Sequence, residues 1–434
     1  MRTLEDWLTL QESVHPQAID MGLARVSEVA RRLGVASSAA AVLTVAGTNG
    51  KGSVAAHLEA LLRARGARVG LFTSPHLVRY NERIRVLGAE VSDAALVGAF
   101  ERIEAARGGV TLTFFEYNTL AALLLFADQA LDAMVLEVGL GGRLDATNLV
   151  DADVAVLVSV GFDHRDWLGD TLDSIGAEKA GIFRTARPAV LGTPEMPASV
   201  YQAIAGLGAQ AVVAGRDFRW QVRGAAWVYH GLALQLTGLP PSALAGDIQY
   251  RNASTALAAL EALGRAPAPS AGAQRLLAQL APADAANTAA ALAAVRLPGR
   301  FQVVPGEVEW ILDIAHNEPA AHVLAAQLAA RPLAAGARTL AVVGVLRDKD
   351  AAAIAAALRA RIGRWIVCAL PGPRGDSAAH LAARLALPAG TELELADSVA
   401  AGCERARREA RPGDRVVVFG SLHTVGPALE WLRI

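Results

Sequence analysis

Two periods of apolar residues alternate along this chain, and the switches between them outline its architecture. Ala41, Val42, Leu43 and Val45 form a short apolar run of strand type that stops at a glycine-rich turn, Gly47-Thr48-Asn49-Gly50-Lys51-Gly52-Ser53. Val54, Leu58, Leu61 and Leu62 follow at helical spacing and predict an amphipathic helix directly after the turn. Residues 1–40 read as helical with a break at His15-Pro16, and Asp20 is placed to cap a helix carrying Leu23, Val26, Val29 and Leu33. Further strands are predicted at 69–72, 133–138, 153–160 and 188–191, with helices at 93–107 and 117–131. The stretch 227–236 breaks this rhythm and reads as a small antiparallel insertion, followed by helices at 250–263 and 270–295. After Leu297-Pro298-Gly299-Arg300 the alternation restarts, with strands at 308–314, 339–345, 364–369 and 415–420. Strands alternating with helices predict parallel sheets covered on both faces. The expected fold is therefore α/β: a mostly parallel domain over 1–296 that carries the glycine-rich turn, a linker at 297–301, and a smaller Rossmann-like α/β domain over 302–434.

Composition narrows the partners. A chain of 434 residues exceeds one ordinary core, which agrees with two domains. Hydrophobic residues at 53% and charged residues at 19% exclude a disordered chain. A net charge of −1 leaves no electrostatic footprint for nucleic acid or an anionic membrane. Two cysteines, Cys368 and Cys403, exclude a disulfide framework or a cysteine zinc site and fit a reducing compartment. The N-terminal stretch is mixed in charge and carries no apolar signal core. Apolar runs such as 120–127 fall short of the roughly 18 residues that span a bilayer. The expectation is a soluble, cytoplasmic, monomeric protein. The abundance of alanine flattens the contrast between helix faces and blurs helix boundaries.

The turn at 47–53 carries the first chemistry. Its glycines let backbone N–H groups approach an anion, the following helix adds partial positive charge, and Lys51 adds a full one. That pattern predicts a site for nucleotide phosphates. The hydroxyl arrives one residue later than in the commonest P-loop, because Gly52 precedes Ser53. Glu137 ends an apolar strand, where an isolated carboxylate is costly unless paired or bound to a metal. Magnesium favours such oxygen donors. Ser74 and His164 end two other strands, although taken alone Ser74 reads as a turn residue and His164 as a structural histidine. Lys179 alone reads as a solvated helix lysine. In Asp313-Ile314-Ala315-His316-Asn317, Asn317 is placed to cap a helix, and the alternative is a polar cluster facing a nucleotide.

With these residues in view, GTNGKGS at 47–53 resembles the Mur-ligase type of phosphate loop, offset hydroxyl included. The stretches SPHLVRYNERIRV (74–86), TFFEYNTLAAL (113–123), LEVGLGGRLDATN (136–148), DHRDWLG (163–169), EKAGIFR (178–184), LPGRFQ (297–302), DIAHN (313–317) and GSLHTV (420–425) resemble the blocks of the bifunctional dihydrofolate synthase/folylpolyglutamate synthase family, in family order. The resemblance implies that Asn49, Gly50, Lys51, Gly52 and Ser53 hold ATP, with Asn252, Arg300 and Asp313 completing the nucleotide site. It implies two Mg²⁺ ions, one on Ser74 and Glu137 and another on His164, with Lys179 carbamylated into an anionic ligand. Ser13, Val14, His15, Pro16, Thr113, Phe114, Phe115, Glu116, Leu144, Asp145 and Ala146 would receive the pterin substrate. His316, Ser421 and His423 would lie near the incoming glutamate, and Lys51, Lys179 and His316 are the implied catalytic groups. Two positions depart from the family pattern: Glu318 stands where proline is usual after DIAHN, and Arg165 stands where a small residue usually follows Asp163-His164.

The chemistry so implied is ATP-driven amide formation. A carboxylate attacks the γ-phosphate to give an acyl phosphate, and the amine of L-glutamate then displaces phosphate. The acceptors would be dihydropteroate and reduced folates. A chain-extending synthase without the dihydropteroate activity is the near alternative. A partner-driven P-loop ATPase is a distant one. A cell-wall Mur ligase would need a UDP-sugar-peptide site, commonly with an extra N-terminal domain, whereas the phosphate loop here begins at residue 47.

Overall fold

The computed structural model describes residues 2–17 and 19–434; Met1 and Ala18, within the region read as helical, lie outside them. The chain divides into two compact units. The first comprises Met1–Pro75, Asn81–Ala243 and Gln249–Val295, and the second His76–Tyr80, Leu244–Ile248 and Arg296–Ile434.

The first unit is built on an eight-stranded sheet. In chain order its strands are β1 (Ala41–Ala46), β2 (Val69–Phe72), β3 (Ile84–Val86), β4 (Ala89–Glu90), β5 (Ala133–Glu137), β6 (Val154–Leu157), β7 (Pro188–Leu191) and β8 (Gln210–Val213). Their spatial order is β4-β3-β2-β5-β1-β6-β7-β8. Pairing is parallel from β2 to β8, with β3 and β4 antiparallel at one edge. All residues of β1, β2, β5, β6 and β7 are buried, as parallel strands covered on both faces must be. The chain leaves β1 toward β2 on one side and later returns to β6 on the other. The crevice beside β1 is therefore the switch point where open α/β sheets bind ligands.

Several boundaries differ from those the sequence suggests. Asp20 does not cap the helix Ala24–Leu33; its N-cap is Leu23, without a side-chain bond, and Asp20 instead accepts from Arg25 Nη1 at 2.7 Å. The helix expected at 117–131 begins earlier, at Phe114, where Thr113 and Glu116 form a capping box, and it ends at Ala127. The stretch 270–295 is two helices, Ala271–Gln279 and Ala285–Ala294, the second opened by an Asp284/Asn287 capping box after Pro282. The antiparallel insertion is three strands, β9 (Arg219–Arg223), β10 (Ala226–His230) and β11 (Gln235–Leu239).

The second unit carries a six-stranded sheet of β12 (Gln302–Val304), β13 (Glu309–Asp313), β14 (Thr339–Val343), β15 (Arg364–Cys368), β16 (Leu393–Ala396) and β17 (Arg415–Phe419). The order is β12-β13-β17-β14-β15-β16, parallel except for β12. Apolar clusters fill both faces of this sheet, one around Ile311, Val343, Trp365 and Phe419 and the other around Leu312, Val342, Ile366 and Val418. Leu77 packs on the second cluster and Ala245 on the first, so two short segments distant in sequence join this core. Among the described residues no helix is long and apolar enough to cross a membrane. Cys368 and Cys403 are buried free thiols.

Candidate active site

Four consecutive strands of the first unit, β2-β5-β1-β6, end in the residues singled out above. Ser74 follows β2, Glu137 closes β5, the phosphate loop follows β1, and His164 lies beyond β6. Parallel pairing puts all four ends on one edge, with Val45 opposite Glu137 and Ala46 opposite Leu157.

The phosphate loop is clamped from the β6 side. Thr48 N–H donates to Ser159 O at 2.9 Å, Thr48 Oγ1 exchanges hydrogen bonds with Gly161, and Asn49 N–H donates to Ser159 Oγ at 3.1 Å. Gly50 has φ +88° and sits so close to its neighbours that a Cβ there would lie 2.9 Å from Val158 Cγ1 and 3.2 Å from Asn252 Oδ1. A left-handed residue under that crowding must be glycine. The same contact brings Asn252 to the loop. Its Nδ2 donates to Gln249, while its buried Oδ1 has no hydrogen-bond partner, which leaves an acceptor beside the loop. The helix Lys51–Ala64 starts at once, so its free N–H groups open toward the same edge.

Lys51 and Lys179 meet at the base of this loop. Lys51 Nζ donates to Gly47 O at 3.0 Å and Thr48 O at 3.3 Å, and Lys179 Nζ donates to Gly47 O at 3.2 Å. Lys179 is buried, not the solvated lysine its sequence context suggests. Burial, followed by repulsion from Lys51, brings its pKa down to about 7, against the opposing pull of Asp163 and Asp145. Ser74 N–H donates to Glu137 Oε2 at 3.1 Å, which unites those two residues. Among the described residues no three His, Cys, Asp or Glu side chains gather into a metal cage. An ion completed by phosphate oxygens and water needs no such cage, and the Ser74–Glu137 oxygen pair suits magnesium in that way. His164 has φ +51°, donates its N–H to Asp163 Oδ1 at 2.9 Å and is partly exposed. Arg165 turns to Asp170 at 3.0 Å and covers the ring of Phe162 at 5.4 Å.

The acceptor-side residues divide. Phe115 packs against Gly139, where a Cβ would lie 2.5 Å from its ring, and on Phe72 with ring centroids 5.8 Å apart. Phe114 lies under the Arg83 guanidinium, 5.4 Å from its ring centroid. Asp145 accepts from the N–H groups of Gly139, Leu140 and Thr147 and from Thr147 Oγ1, and so shapes the turn that carries Leu144 and Ala146. Burial raises its pKa against those donors. Residues 13–16 are held differently. Ser13 Oγ donates to Leu10 O within its own helix, and His15 meets Asp20 at 3.3 Å. Asp20 pairs with Arg25, and Arg25 reaches Glu116 at 3.3 Å. Met21 reaches the 139–142 loop: a Cβ on Gly141 would sit 3.4 Å from Met21 Cε. Arg25 and Met21 are thus site neighbours that local sequence does not reveal, since neither belongs to a motif, and Arg83, inside the 74–86 block, is a third that its residue type alone does not mark.

In the second unit the adjacent strands β13, β17 and β14 also end together. Asp313 accepts from Phe301 N–H and Ala315 N–H, both at 2.8 Å, and Arg300 opposes the rise in its pKa that burial causes. His316 Nδ1 lies 3.2 Å from Ile314 O. Asn317 caps the helix Glu318–Ala330, with Pro319 taking up a place in its first turn, so Glu318 leaves the cap intact. Ser421 caps the helix Leu422–Leu432 and accepts from His423 N–H at 3.1 Å. Burial and then Arg374 lower the His423 pKa.

A strand-end phosphate loop in one α/β unit, followed by a second parallel-sheet unit, defines a class. The Mur ligase middle domain matches residues 45–193 and the Mur ligase glutamate ligase domain matches residues 299–422. The chain is an ATP-dependent, amide-forming ligase of Mur type. Within that class, it is 44% identical over 427 residues to the dihydrofolate synthase/folylpolyglutamate synthase of Escherichia coli strain K12, covering 98% of this chain and 95% of the relative. The structure of E. coli FolC with DHPP and ADP superposes with a TM-score of 0.90 at 43% identity, covering 100% of this chain and 98% of that one. A bifunctional folylpolyglutamate synthase/dihydrofolate synthase holding Mn, AMPPNP and L-glutamate gives 0.88 at 42% identity, covering 100% and 99%. The chain belongs to the dihydrofolate synthase/folylpolyglutamate synthase family.

Proposed function

We propose that this protein joins L-glutamate to dihydropteroate, giving dihydrofolate, and extends the glutamyl tail of tetrahydrofolate, in both cases through an acyl phosphate. The observation that carries this reading is the joining, in one unit, of the phosphate loop to an aromatic and polar cluster around Gly139, formed by Phe115, Arg83, Phe114 and Asp145. The relatives' bound DHPP, nucleotide and glutamate support it.

Residues 49–53 hold the ATP phosphates through backbone N–H groups and Lys51. Asn252 offers its unpartnered Oδ1 to a nucleotide donor, and Arg300 and Asp313 are the nucleotide-binding residues that the resemblance implies in the second unit. Ser74 and Glu137 hold one Mg²⁺ and His164 a second; when bound, these ions neutralise charge on the transferred phosphoryl group. Ser13 to Pro16, Thr113 to Glu116 and Leu144 to Ala146 form the pterin side, and the His15–Asp20–Arg25–Glu116 chain links the first of these stretches to the second. His316, Ser421 and His423 receive glutamate. Lys179 is carbamylated: its neutral amine attacks CO₂, an N–C bond forms, and the displaced proton leaves to solvent. A pKa of about 7 supports this, because a protonated amine has no lone pair to attack with. The protein works as a cytoplasmic monomer.

The test is an assay of the purified chain with dihydropteroate, ATP, Mg²⁺ and L-glutamate, and separately with tetrahydrofolate. Dihydrofolate and tetrahydrofolate diglutamate are the expected products. No dihydrofolate with tetrahydrofolate activity retained reduces the protein to a chain-extending synthase, and ATP hydrolysis indifferent to glutamate removes the ligase reading.

A further inference from the structure

His57 is a fully buried imidazole on the phosphate-loop helix, one turn beyond Ser53, among apolar neighbours such as Val54, Leu58 and Leu61. Its Nδ1 lies 2.7 Å from Ser53 O and its Nε2 lies 2.9 Å from Ser242 Oγ. A carbonyl can only accept, so Nδ1 carries the proton and Nε2 is the bare acceptor. Burial keeps the ring neutral by lowering its pKa to about 4. Ser242 therefore donates to His57, and His57 donates to Ser53.

Ser242 occupies a particular place in the chain. Ala243 N–H is anchored to Leu292 O at 2.9 Å, and from Leu244 the chain belongs to the second unit until Ile248. It then returns as the helix Ile248–Gly264, which carries Asn252 to the phosphate loop. One hydrogen-bonded line thus runs from the start of the crossover, through His57, to the carbonyl of Ser53 in the first turn of the helix that the loop opens. Filling this space with a leucine would satisfy packing; only a side chain with a donor and an acceptor links both ends.

We propose that His57 is a positioning residue that fixes the phosphate-loop helix to the crossover segment through Ser242 and so holds the loop in register for the nucleotide phosphates. This rests on the loop being the ATP site.

The test uses the full chain with Ser242→Ala, His57→Leu, the double variant and His57→Gln, whose carboxamide retains one donor and one acceptor. ADP affinity is read by calorimetry, so the result does not depend on which acceptor is glutamylated. A net hydrogen bond of this kind corresponds to about a 2–10-fold loss. Ser242→Ala and His57→Leu are each expected to weaken ADP binding by that factor. The double variant should be no weaker than His57→Leu, and His57→Gln should recover part of the loss. In steady state the KM for ATP should rise while the KM for glutamate stays fixed. ADP affinity within twofold of wild type in Ser242→Ala, which removes a half-buried hydroxyl and leaves packing intact, overturns the proposal, as do additive losses in the double variant. If the wild type binds no ADP, the nucleotide reading itself falls and this inference falls with it. ADP binding without ligase activity removes only the proposed function.

Discussion

Replacing Lys179 with methionine should make the resting protein more stable while ending its activity. The side chain is buried and its pKa falls from the ordinary 10.5 to about 7. The unfolded chain therefore holds a proton that the native state sheds over that interval, and stability rises with pH through the window. Below about pH 7 both states are protonated, and the native state bears the full cost of a buried cation. Integrating the linkage gives a penalty of about 4 kcal/mol at pH 7 and about 2 kcal/mol at pH 9. Lys179→Met keeps most of the volume, removes the titration and gives up the Nζ to Gly47 O bond, worth ~1 kcal/mol. The variant should exceed wild type by about 3 kcal/mol at pH 7, with the gap closing by about 2 kcal/mol at pH 9. Urea unfolding of both proteins in CO₂-free buffer reads this, since carbamylation would otherwise consume the amine. A gap that does not change between pH 7 and 9, or that widens, refutes the account of a buried, neutralised amine.

Other perturbations probe the rest of the site. Lys51→Ala and Glu137→Ala should each abolish ATP-dependent glutamate ligation with circular dichroism unchanged, and wild-type turnover by either folded variant would refute the roles given to them. Arg25→Leu leaves Asp20 and the buried Glu116 without their cation and should cost about 2 kcal/mol in urea unfolding. The same variant should raise the KM for dihydropteroate and leave that for ATP alone; an unchanged KM would detach the network from the acceptor site. Gly50→Ala forces a Cβ into φ +88° against Val158, an αL penalty of about 1–2 kcal/mol before any clash, and should weaken ADP binding by more than tenfold in calorimetry.

Much of this architecture is legible along the chain where the physics is local. A buried parallel strand is a continuous apolar run, so the cores of β1, β2, β5, β6 and β7 stand out, and a glycine turn before a helix marks the phosphate loop. The short strands β3, β4 and β16 do not stand out, because most of their residues are half-buried or exposed and so make no continuous apolar run. Alanine merges helices, so the break at 280–284 is visible only through Pro282 and the capping box after it. Asp20 has the chemistry of an N-cap, and the nearby Arg25 outcompetes that use by offering a charge. The attachment of residues 76–80 and 244–248 to the second unit depends on contacts such as Leu77 with Val425, hundreds of residues apart, which no local pattern encodes. The same limit hides Asn252's approach to Gly50 and the burial of Lys179.

Under the proposed carbamylation, the placing of Lys51 and Lys179 on one carbonyl accounts for a lysine at this position. A permanent carboxylate at residue 179 would lie buried through folding near Asp163 and Asp145, and each added buried anion is expensive. A permanent ammonium there would repel Lys51 at the moment Lys51 must face the phosphates. The depressed pKa moderates both demands: near pH 7 the amine can shed its proton, which relieves the repulsion on Lys51 at the stability cost worked out above. Carbamylation, as proposed, would supply the negative charge after folding and turn the repulsion between the two side chains into an attraction. On the proposed carbamylation, the charge at residue 179 would be set by CO₂ and pH after the fold has formed. Ligase activity should accordingly rise on adding bicarbonate to CO₂-depleted wild-type enzyme and stay unchanged at Lys179→Met.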